Sequence, residues 1–580
     1  MNDRIGLLES NVPSVIDFFC GAGGFSEGFR QEGFNIIRGF DHWSPAVDTF
    51  NFNFKMNEKP FDILQFWDNV DLIESIPDSE IIIGSPPCIS FSNSNRSGKA
   101  DKSLGLKLTE VFLRIIAVKK FKKGSILEAW YMENVTNSLN YLARSYKFRD
   151  LNLFNWAKDN GYSPDKVVIT IEGNSAIINS AEYGSPQARK RAITGEIIGL
   201  NKFIVPPKSH SIKPGRKLPM AKTLGSIKSK LPKPNVKKSS RRIIDPSNPC
   251  LSIPLSHLTD HFYDTGLYES QWRNSYFMKK NHPYMGRMSF PENQEKPSRT
   301  LTATNIGTSR EAIIYKSEYN RKGNGEYRVP TVREMACLMG FPITYQFIAN
   351  SETSKCRLVG NAVCISVSRA LARTVKKSLQ IDQIKIPAFI DKVNLKLVPN
   401  LNTYSEKIFD KPPVKKPGSR FRRHPFKYGN ITVTLSNYDI TNDSLTDKWM
   451  TSVQYGNGEG YPSKNYEDGF YNVIEPIILS FEGGEKFVKF INNGFSEKIA
   501  KSEKFQKMYE LQKSDSVFLE PTRLIEEVAK EIDKFKFDSP SLKQTGTLVF
   551  DKKKIVPKKQ IMALYAINKI ASITNSTDNE

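Results

Sequence analysis

Between residues 13 and 199, short apolar runs alternate with segments whose apolar residues return at helical spacing. Val15-Ile16-Asp17-Phe18 reads as a first strand, and Phe25 to Gln31 as the helix that follows it. Asn35-Ile36-Ile37-Arg38-Gly39-Phe40 reads as a second strand, and Ile81-Ile82-Ile83 as another. From Leu106 to Lys120 the pattern is helical, with Val111, Ile115 and Val118 on one face, and Ile126 to Met132 again has strand character. Strands separated by helices predict an α/β fold with a doubly wound, mostly parallel sheet.

The texture changes near residue 200. Pro206-Pro207, Lys213-Pro214-Gly215-Arg216-Lys217 and Lys237-Lys238-Ser239-Ser240-Arg241-Arg242 interrupt short apolar runs, as loops of a small irregular domain would. Helical pattern returns over Thr331–Met339 and Val363–Lys377. Lys411-Pro412-Pro413-Val414-Lys415-Lys416-Pro417-Gly418 reads as a linker, and an amphipathic helix opens near Pro521 with Leu524, Val528, Ile532 and Phe535 on one side. The expected organisation is an α/β domain over 1–199 completed by 352–385, a small domain over 200–351, a linker over 386–415 and a C-terminal domain over 416–580. No stretch approaches the ~18 apolar residues of a membrane span, and Met1-Asn2-Asp3-Arg4-Ile5-Gly6 lacks a signal peptide's apolar centre. The six cysteines are scattered without a Cys-x-x-Cys pair, which points to a reducing, cytoplasmic setting and to no metal site.

Charge sharpens this division. The net charge is +23, yet residues 1–200 hold 22 Lys+Arg against 24 Asp+Glu. Residues 201–300 hold 19 against 6. A localised basic excess suggests contact with a polyanion.

Two turns carry candidate chemistry. The apolar run Ile81-Ile82-Ile83 passes through Gly84-Ser85-Pro86-Pro87 to Cys88. Two prolines fix φ and remove two N–H donors, so the thiol is held on a stiff turn, either as a buried structural cysteine or as a nucleophile. The first strand runs into Asp17-Phe18-Phe19-Cys20-Gly21-Ala22-Gly23-Gly24-Phe25, with Gly28 beyond. Such a turn exposes N–H groups at a helix start for a nucleoside-type cofactor, or is an ordinary glycine turn. Asp41, just past the second strand, stands where an acid takes a ribose hydroxyl pair.

Gly21-Ala22-Gly23-Gly24 after one strand, Pro86-Pro87-Cys88 after another and Glu133-Asn134-Val135 after a third resemble the DNA cytosine carbon-5 methyltransferases of prokaryotic restriction-modification systems. The resemblance continues through Tyr183-Gly184-Ser185-Pro186-Gln187-Ala188-Arg189-Lys190-Arg191 and Arg299-Thr300-Leu301-Thr302. Arg333-Glu334-Met335-Ala336-Cys337-Leu338-Met339-Gly340-Phe341-Pro342 and Gly360-Asn361-Ala362-Val363 complete it, in the family's order.

The resemblance implies a Rossmann-like class I methyltransferase domain that uses S-adenosylmethionine. Carbon 5 of cytosine is too poor a nucleophile to take a methyl group until a thiolate adds to carbon 6 and makes the ring an enamine. Cys88 is the implied nucleophile. Glu133 is implied at ring nitrogen 3 and Arg191 at oxygen 2, with Arg189 alongside, where charge develops. Asn134 and Gln187 are implied to shape the site. For the cofactor, the family pattern implies Asp17, Phe18, Gly21, Gly23, Gly24 and Pro86, with Asp41 on the ribose, His42 on the adenine and Asp62 on its exocyclic amine. Asn361, Ala362 and Val363 are implied to close the same pocket. Ile89 stands where the family usually has Gln, and Cys364-Ile365 where two prolines are common.

The expected partner is double-stranded DNA, with the base flipped out of the stack. Ser90, Ser92 and Arg96 lie in a small, polar, basic loop expected to close over it. Residues 200–351 take the place of the family's target-recognition region, with Lys237, Lys238, Arg241, Arg242, Arg273 and Arg287 as candidate DNA contacts. A monomer acting at the nucleoid is expected, paired with a cognate restriction endonuclease. A tRNA methyltransferase of this fold would have a short recognition region and a Cys-Phe-Thr signature, neither found here, and an amino-methyltransferase would end the strand in Pro-Pro-Tyr or Pro-Pro-Trp. A catalytically dead DNA-binding regulator would have no need of Cys88, Glu133 and both arginines. Beyond the resemblance, Arg420, Arg422, Arg423 and Lys427 suggest auxiliary DNA contact by the C-terminal domain, and Glu485-Lys486 reads as an ordinary exposed pair.

Overall fold

The computed structural model describes residues 12–87, 103–215, 217–280, 288–303, 307–381, 423–428, 431–439, 444–455, 463–510, 517–544, 549–550 and 555–576, together with 398, 404, 407 and 409. The chain divides into two units, Met1–Asp410 and Lys411–Glu580.

The first unit is built on strands β1 (Ser14–Phe18), β2 (Asn35–Phe40), β3 (Ile81–Gly84), β4 (Ala129–Asn134), β5 (Ser175–Asn179) and β6 (Lys190–Ile197). They form one six-stranded sheet in the order β2-β1-β3-β4-β6-β5. β2, β1, β3 and β4 are parallel, and β6 runs antiparallel to both β4 and β5. Residues alternate between two cores. Val15, Ile81, Ile83, Ala129 and Tyr131 face one, while Ile16, Phe18, Ile82, Trp130 and Met132 face the other. A parallel sheet covered on both faces reads as continuous apolar runs, which is why Ile81-Ile82-Ile83 carries no polar alternation.

Helix α1 (Gly24–Gln31) follows β1, α2 (Ser44–Phe54) follows β2, and α3 (Ser103–Phe121) precedes β4. β4 ends two residues later than the apolar run suggests. Ile126 is left 44% exposed, and Glu133 and Asn134 continue the strand because they pair with Ile193 and Ala192 of β6. A polar pair enters the sheet on the strength of a partner distant in sequence.

Residues 200–351 hold short pairs, Arg242–Ile244 with Ser252–Pro254 and Tyr315–Lys316 with Tyr327–Arg328, and the helix α4 (Glu269–Lys280). Helix α5 (Val332–Met339) opens with a capping box in which Thr331 and Glu334 satisfy one another's backbone N–H groups. The chain then returns to the sheet through α6 (Glu352–Asn361) and α7 (Ile365–Ser378). The stretch Glu352–Ser378 is long and apolar enough to cross a membrane by composition. It is instead two helices, interrupted at Ala362–Cys364 and packed in the core, with Val363, Val367, Leu371 and Val375 buried. Within 386–415, expected as a linker, Val398 and Phe409 are buried and Tyr404 is half-buried.

The second unit holds an antiparallel meander of β7 (Arg423–Tyr428), β8 (Ile431–Asp439), β9 (Ser444–Tyr455) and β10 (Ser463–Tyr466). Phe426, Val433, Leu435 and Val453 share its core with Leu524, Val528 and Ile532 of α8 (Pro521–Asp533) and with the buried α9 (Lys558–Ser576). Phe535 falls just past α8 and is partly buried in that core.

Candidate active site

Three parallel strands bring their carboxyl ends to one edge, where open α/β sheets bind ligands. Cys20 N donates to Phe40 O at 3.0 Å, and Ser85 N donates to Phe18 O at 3.1 Å, so the turns after β1, β2 and β3 are tied together. Within the first turn Phe19, Gly21 and Gly23 all have positive φ. The glycines divide the work. A Cβ on Gly21 would meet nothing within 4 Å, so this residue turns an open face outward. A Cβ on Gly24 would lie 2.5 Å from Val363 O, and one on Gly28 would lie 2.3 Å from Ser368. Those two glycines let α1 lie against the returning segment 362–368, which is how residues distant in sequence come to border the turn.

Asp41 braces the same turn. Its Oδ2 accepts from Gly21 N at 3.0 Å and its Oδ1 from Trp43 N at 2.9 Å. Burial raises its pKa, against the lowering effect of these two N–H groups. Asp17 is fully buried, with Oδ2 accepting from Ser26 Oγ at 2.6 Å and Oδ1 lacking a hydrogen-bond partner among the described residues. Burial pushes its carboxyl up to about 8, offset in part by Ser26. Tyr345 Oη donates to Ala22 O at 2.5 Å. That brace comes from a residue whose local sequence carries no signal for it.

The second half of the site lies at the end of β4. Asn134 Nδ2 reaches Pro86 O at 3.4 Å, and Asn134 Oδ1 accepts from Val135 N at 2.8 Å. The amide thus ties this strand end to the Pro-Pro turn that leads to Cys88. Glu133 and Arg191 are diagonal neighbours across the β4–β6 pair, with Arg191 Nε 3.0 Å from Glu133 Oε1. Glu133 is 7% exposed, and its Oε1 is buried without a well-directed hydrogen bond, so the pair is an ion contact off the N–H axis.

Arg189 is placed differently from the expectation that it stands beside Arg191 at the reacting ring. Arg189 lies one residue before β6, so strand pairing does not set its direction. The Arg189 guanidinium is buried and donates to Leu301 O at 2.9 Å, Gly360 O at 3.1 Å and Ala362 O at 3.3 Å. It clasps the Arg299–Thr302 segment to the 360–362 segment. Gln187, fully buried, accepts from Leu301 N at 2.9 Å and donates to Met339 Sδ at 3.0 Å. Arg299 in turn grips Glu292 through two nitrogens.

Other expected residues scatter by role. Phe18 is buried, its ring stacked on Phe40 at 4.8 Å. His42 is 71% exposed at the side chain, and Asp62 is exposed and caps Leu64 N at 3.0 Å. Pro86, Ala362 and Val363 are buried while Asn361 is exposed. Lys237, Lys238, Arg241 and Arg242 are all exposed on the small region. Arg242 also bonds Ser252 Oγ at 3.0 Å, and Arg273 is occupied by Glu269 one helical turn away. Cys88, Ser90, Ser92, Arg96 and Arg287 lie outside the described residues.

Comparison with known proteins agrees with this geometry. The family model for C-5 cytosine-specific DNA methylase matches residues 14–377. The chain is 28% identical over 374 residues to the Type II methyltransferase M.MthTI of Methanothermobacter thermautotrophicus, covering 63% of this chain and 98% of that one. It is 28% identical over 370 residues to M.HgiDI of Herpetosiphon aurantiacus, covering 63% of this chain and 94% of the relative. A shorter match, 39% identical over 123 residues, joins it to M.HgiGI of the same organism, covering 21% of this chain and 89% of that one. A glycine turn braced by Asp41, a Pro-Pro turn tied to Asn134 and a paired Glu133 and Arg191 stand within the matched span. The chain belongs to the C-5 cytosine-specific DNA methylase family and methylates carbon 5 of cytosine in DNA with S-adenosylmethionine.

Proposed function

We propose that this enzyme modifies one specific duplex sequence as the protective half of a type II restriction-modification system, acting as a monomer in the cytoplasm beside a cognate endonuclease. The observation that carries the chemical reading is the Glu133–Arg191 contact of 3.0 Å at the strand end bonded to Pro86. A carboxyl and a guanidinium side by side match the two atoms of a cytosine ring, nitrogen 3 and oxygen 2, that gain charge when carbon 6 is attacked.

In this reading Cys88 adds to carbon 6, Glu133 donates at nitrogen 3 and Arg191 stabilises oxygen 2. Once carbon 5 carries the transferred methyl group, loss of its proton and expulsion of the thiolate restore the ring as 5-methylcytosine. Arg189 acts as a positioning residue, holding the segments at Leu301 and Gly360–Ala362 in register. S-adenosylmethionine supplies an electrophilic methyl group when bound. The residues fit it: the open face of Gly21, the acid Asp41 beneath that turn and the buried Asp17 Oδ1 offer polar groups to a nucleoside and an amino acid moiety. Exposed Lys237, Lys238, Arg241 and Arg242 supply phosphate contacts that weaken with salt. Flipping the base costs about a few kcal/mol, met by these contacts.

Duplex DNA containing 5-fluorocytosine tests the mechanism. A covalent adduct should form with cofactor present and vanish in Cys88→Ala; an adduct in that variant would refute the assignment. Bisulfite sequencing of DNA modified by the purified protein then reads the site, and methylation at every cytosine would refute sequence specificity.

A further inference from the structure

The family match ends at residue 377, yet Val398, Tyr404, Lys407 and Phe409 beyond it are seated on the first unit. Val398 is buried against Ile348, with Phe52 of α2 alongside. Tyr404 stacks on Tyr263, ring centroids 3.9 Å apart and planes 4° from parallel. Its hydroxyl donates to Asp260 Oδ1 at 2.7 Å, the same oxygen that takes Lys355 Nζ of α6 at 2.7 Å. Asp260 holds a positive φ of 57°, and its main-chain oxygen accepts from Arg333 N at 3.0 Å. Lys407 Nζ donates to Gly266 O at 3.2 Å.

Phe409 enters a notch that two glycines make. A Cβ on Gly266 would lie 2.6 Å from its ring, and one on Gly325 would lie 3.2 Å from it. Arg321 covers the ring at 4.2 Å while bonded to Asp264, and Tyr268 flanks it at 5.0 Å. A stacked aromatic, a shared buried carboxylate and a glycine notch are three separate accommodations to one segment.

We propose that Val398, Tyr404, Lys407 and Phe409, beyond the span the family model matches, act as a strap that fixes the DNA-reading region against the cofactor-binding core. One end lies on α2 of the core, the middle bridges Asp260 of the small region to α6, and the other end fills the small region's own notch. Just before the strand that opens at Arg242, Arg241 O accepts from Leu255 N at 2.8 Å and Ser239 O from Ser256 N at 3.0 Å, a few residues before Asp260. Holding Asp260 and Tyr263 therefore holds the exposed basic strand. Tyr404 is a positioning residue: it acts on DNA binding through Asp260 and Tyr263.

Hydrogen exchange on the full-length chain, with steady-state kinetics, tests this. In Tyr404→Ala combined with Phe409→Ala, exchange over 258–268 should rise about tenfold or more while β1, β3 and β4 keep their protection. KM for DNA should rise about tenfold with kcat within about twofold, since the reacting groups are untouched. Tyr404→Phe keeps the stacked ring and should restore most of the DNA affinity. Unchanged exchange over 258–268 would overturn the proposal. So would a uniform loss of protection that includes the central strands, because the segment would then serve general stability instead of orientation.

Discussion

Arg191 Nε lies 3.0 Å from Glu133 Oε1, and this contact joins two adjacent antiparallel strands at the one edge where the sheet's parallel strands also end. It keeps a carboxyl and a guanidinium together in a partly desolvated place, where fixed charges act more strongly than in water. Glu133→Gln keeps the side chain's shape and removes its carboxyl group. We expect kcat to fall about a hundredfold or more, with S-adenosylmethionine affinity unchanged by calorimetry. An unchanged kcat would remove Glu133 from the chemistry.

Arg189 and Arg191 stand two residues apart and should fail in different ways. Arg189→Ala leaves the carbonyls of Leu301, Gly360 and Ala362 without these bonds, in a buried setting. Stability should fall by about 3 kcal/mol, read as a lower urea midpoint at unchanged slope. Arg191→Ala, at a side chain 17% exposed, leaves Glu133 without its ion partner; it should lower the midpoint by less than Arg189→Ala does, and lower kcat. Equal destabilisation by both would contradict the division of roles.

The glycines make a matched pair. Gly24→Ala places a Cβ 2.5 Å from Val363 O, a backbone atom that cannot swing aside. It should cost about 1–3 kcal/mol and weaken cofactor binding by separating α1 from 362–363. Gly21→Ala meets nothing within 4 Å and strains only a φ of 53°. It should cost about 1 kcal/mol. Thermal melts with and without cofactor compare the two, and equal losses would argue against the packing role of Gly24.

Two buried groups set pH slopes of the same sign in separate windows. Burial alone would raise Glu334, but Arg328, bonded to it at 2.7 and 2.8 Å, brings its carboxyl down to about 2 from 4.5. A depressed carboxylate stabilises the fold above pH 4.5, and that contribution is lost as pH falls toward 2. Lys279 gives the same sign at higher pH, because burial there penalises a cation. Burial, then the nearby Arg299 charge, lowers its ammonium from 10.5 to about 7, while its Nζ donates to Arg310 O and Ala312 O. The unfolded chain then binds more protons between pH 7 and 10.5, so stability should climb across that window. Urea midpoints measured from pH 7 to 10 should rise more steeply in the wild type than in Lys279→Met.

Much of the core was legible before any coordinates. β1, β2 and β3 fall where their apolar runs predict, most plainly in β3, whose Ile81-Ile82-Ile83 is buried on both faces. The motif residues Asp41, Glu133 and Arg191 are likewise found at strand ends or turns on the binding edge. Less legible were elements that depend on partners far along the chain. The polar end of β4 exists because β6 pairs with it, and β5 carries too little apolar signal to stand out.

The residue types that the chemistry demands, and their order, were thus determined by the sequence by itself: a thiol after two prolines, an acid after a strand, an arginine pair and a glycine turn. Tertiary structure alone decided which arginine faces Glu133 and which clasps three carbonyls: Arg191 lies within β6, diagonal to Glu133, while Arg189 precedes the strand and meets the segments that return at Leu301 and Gly360–Ala362. It alone separated the open Gly21 from the packed Gly24 and Gly28, which depends on where α7 returns. It alone turned part of an expected linker into a strap, since a notch made by Gly266 and Gly325 has no signature until the chain folds around Phe409.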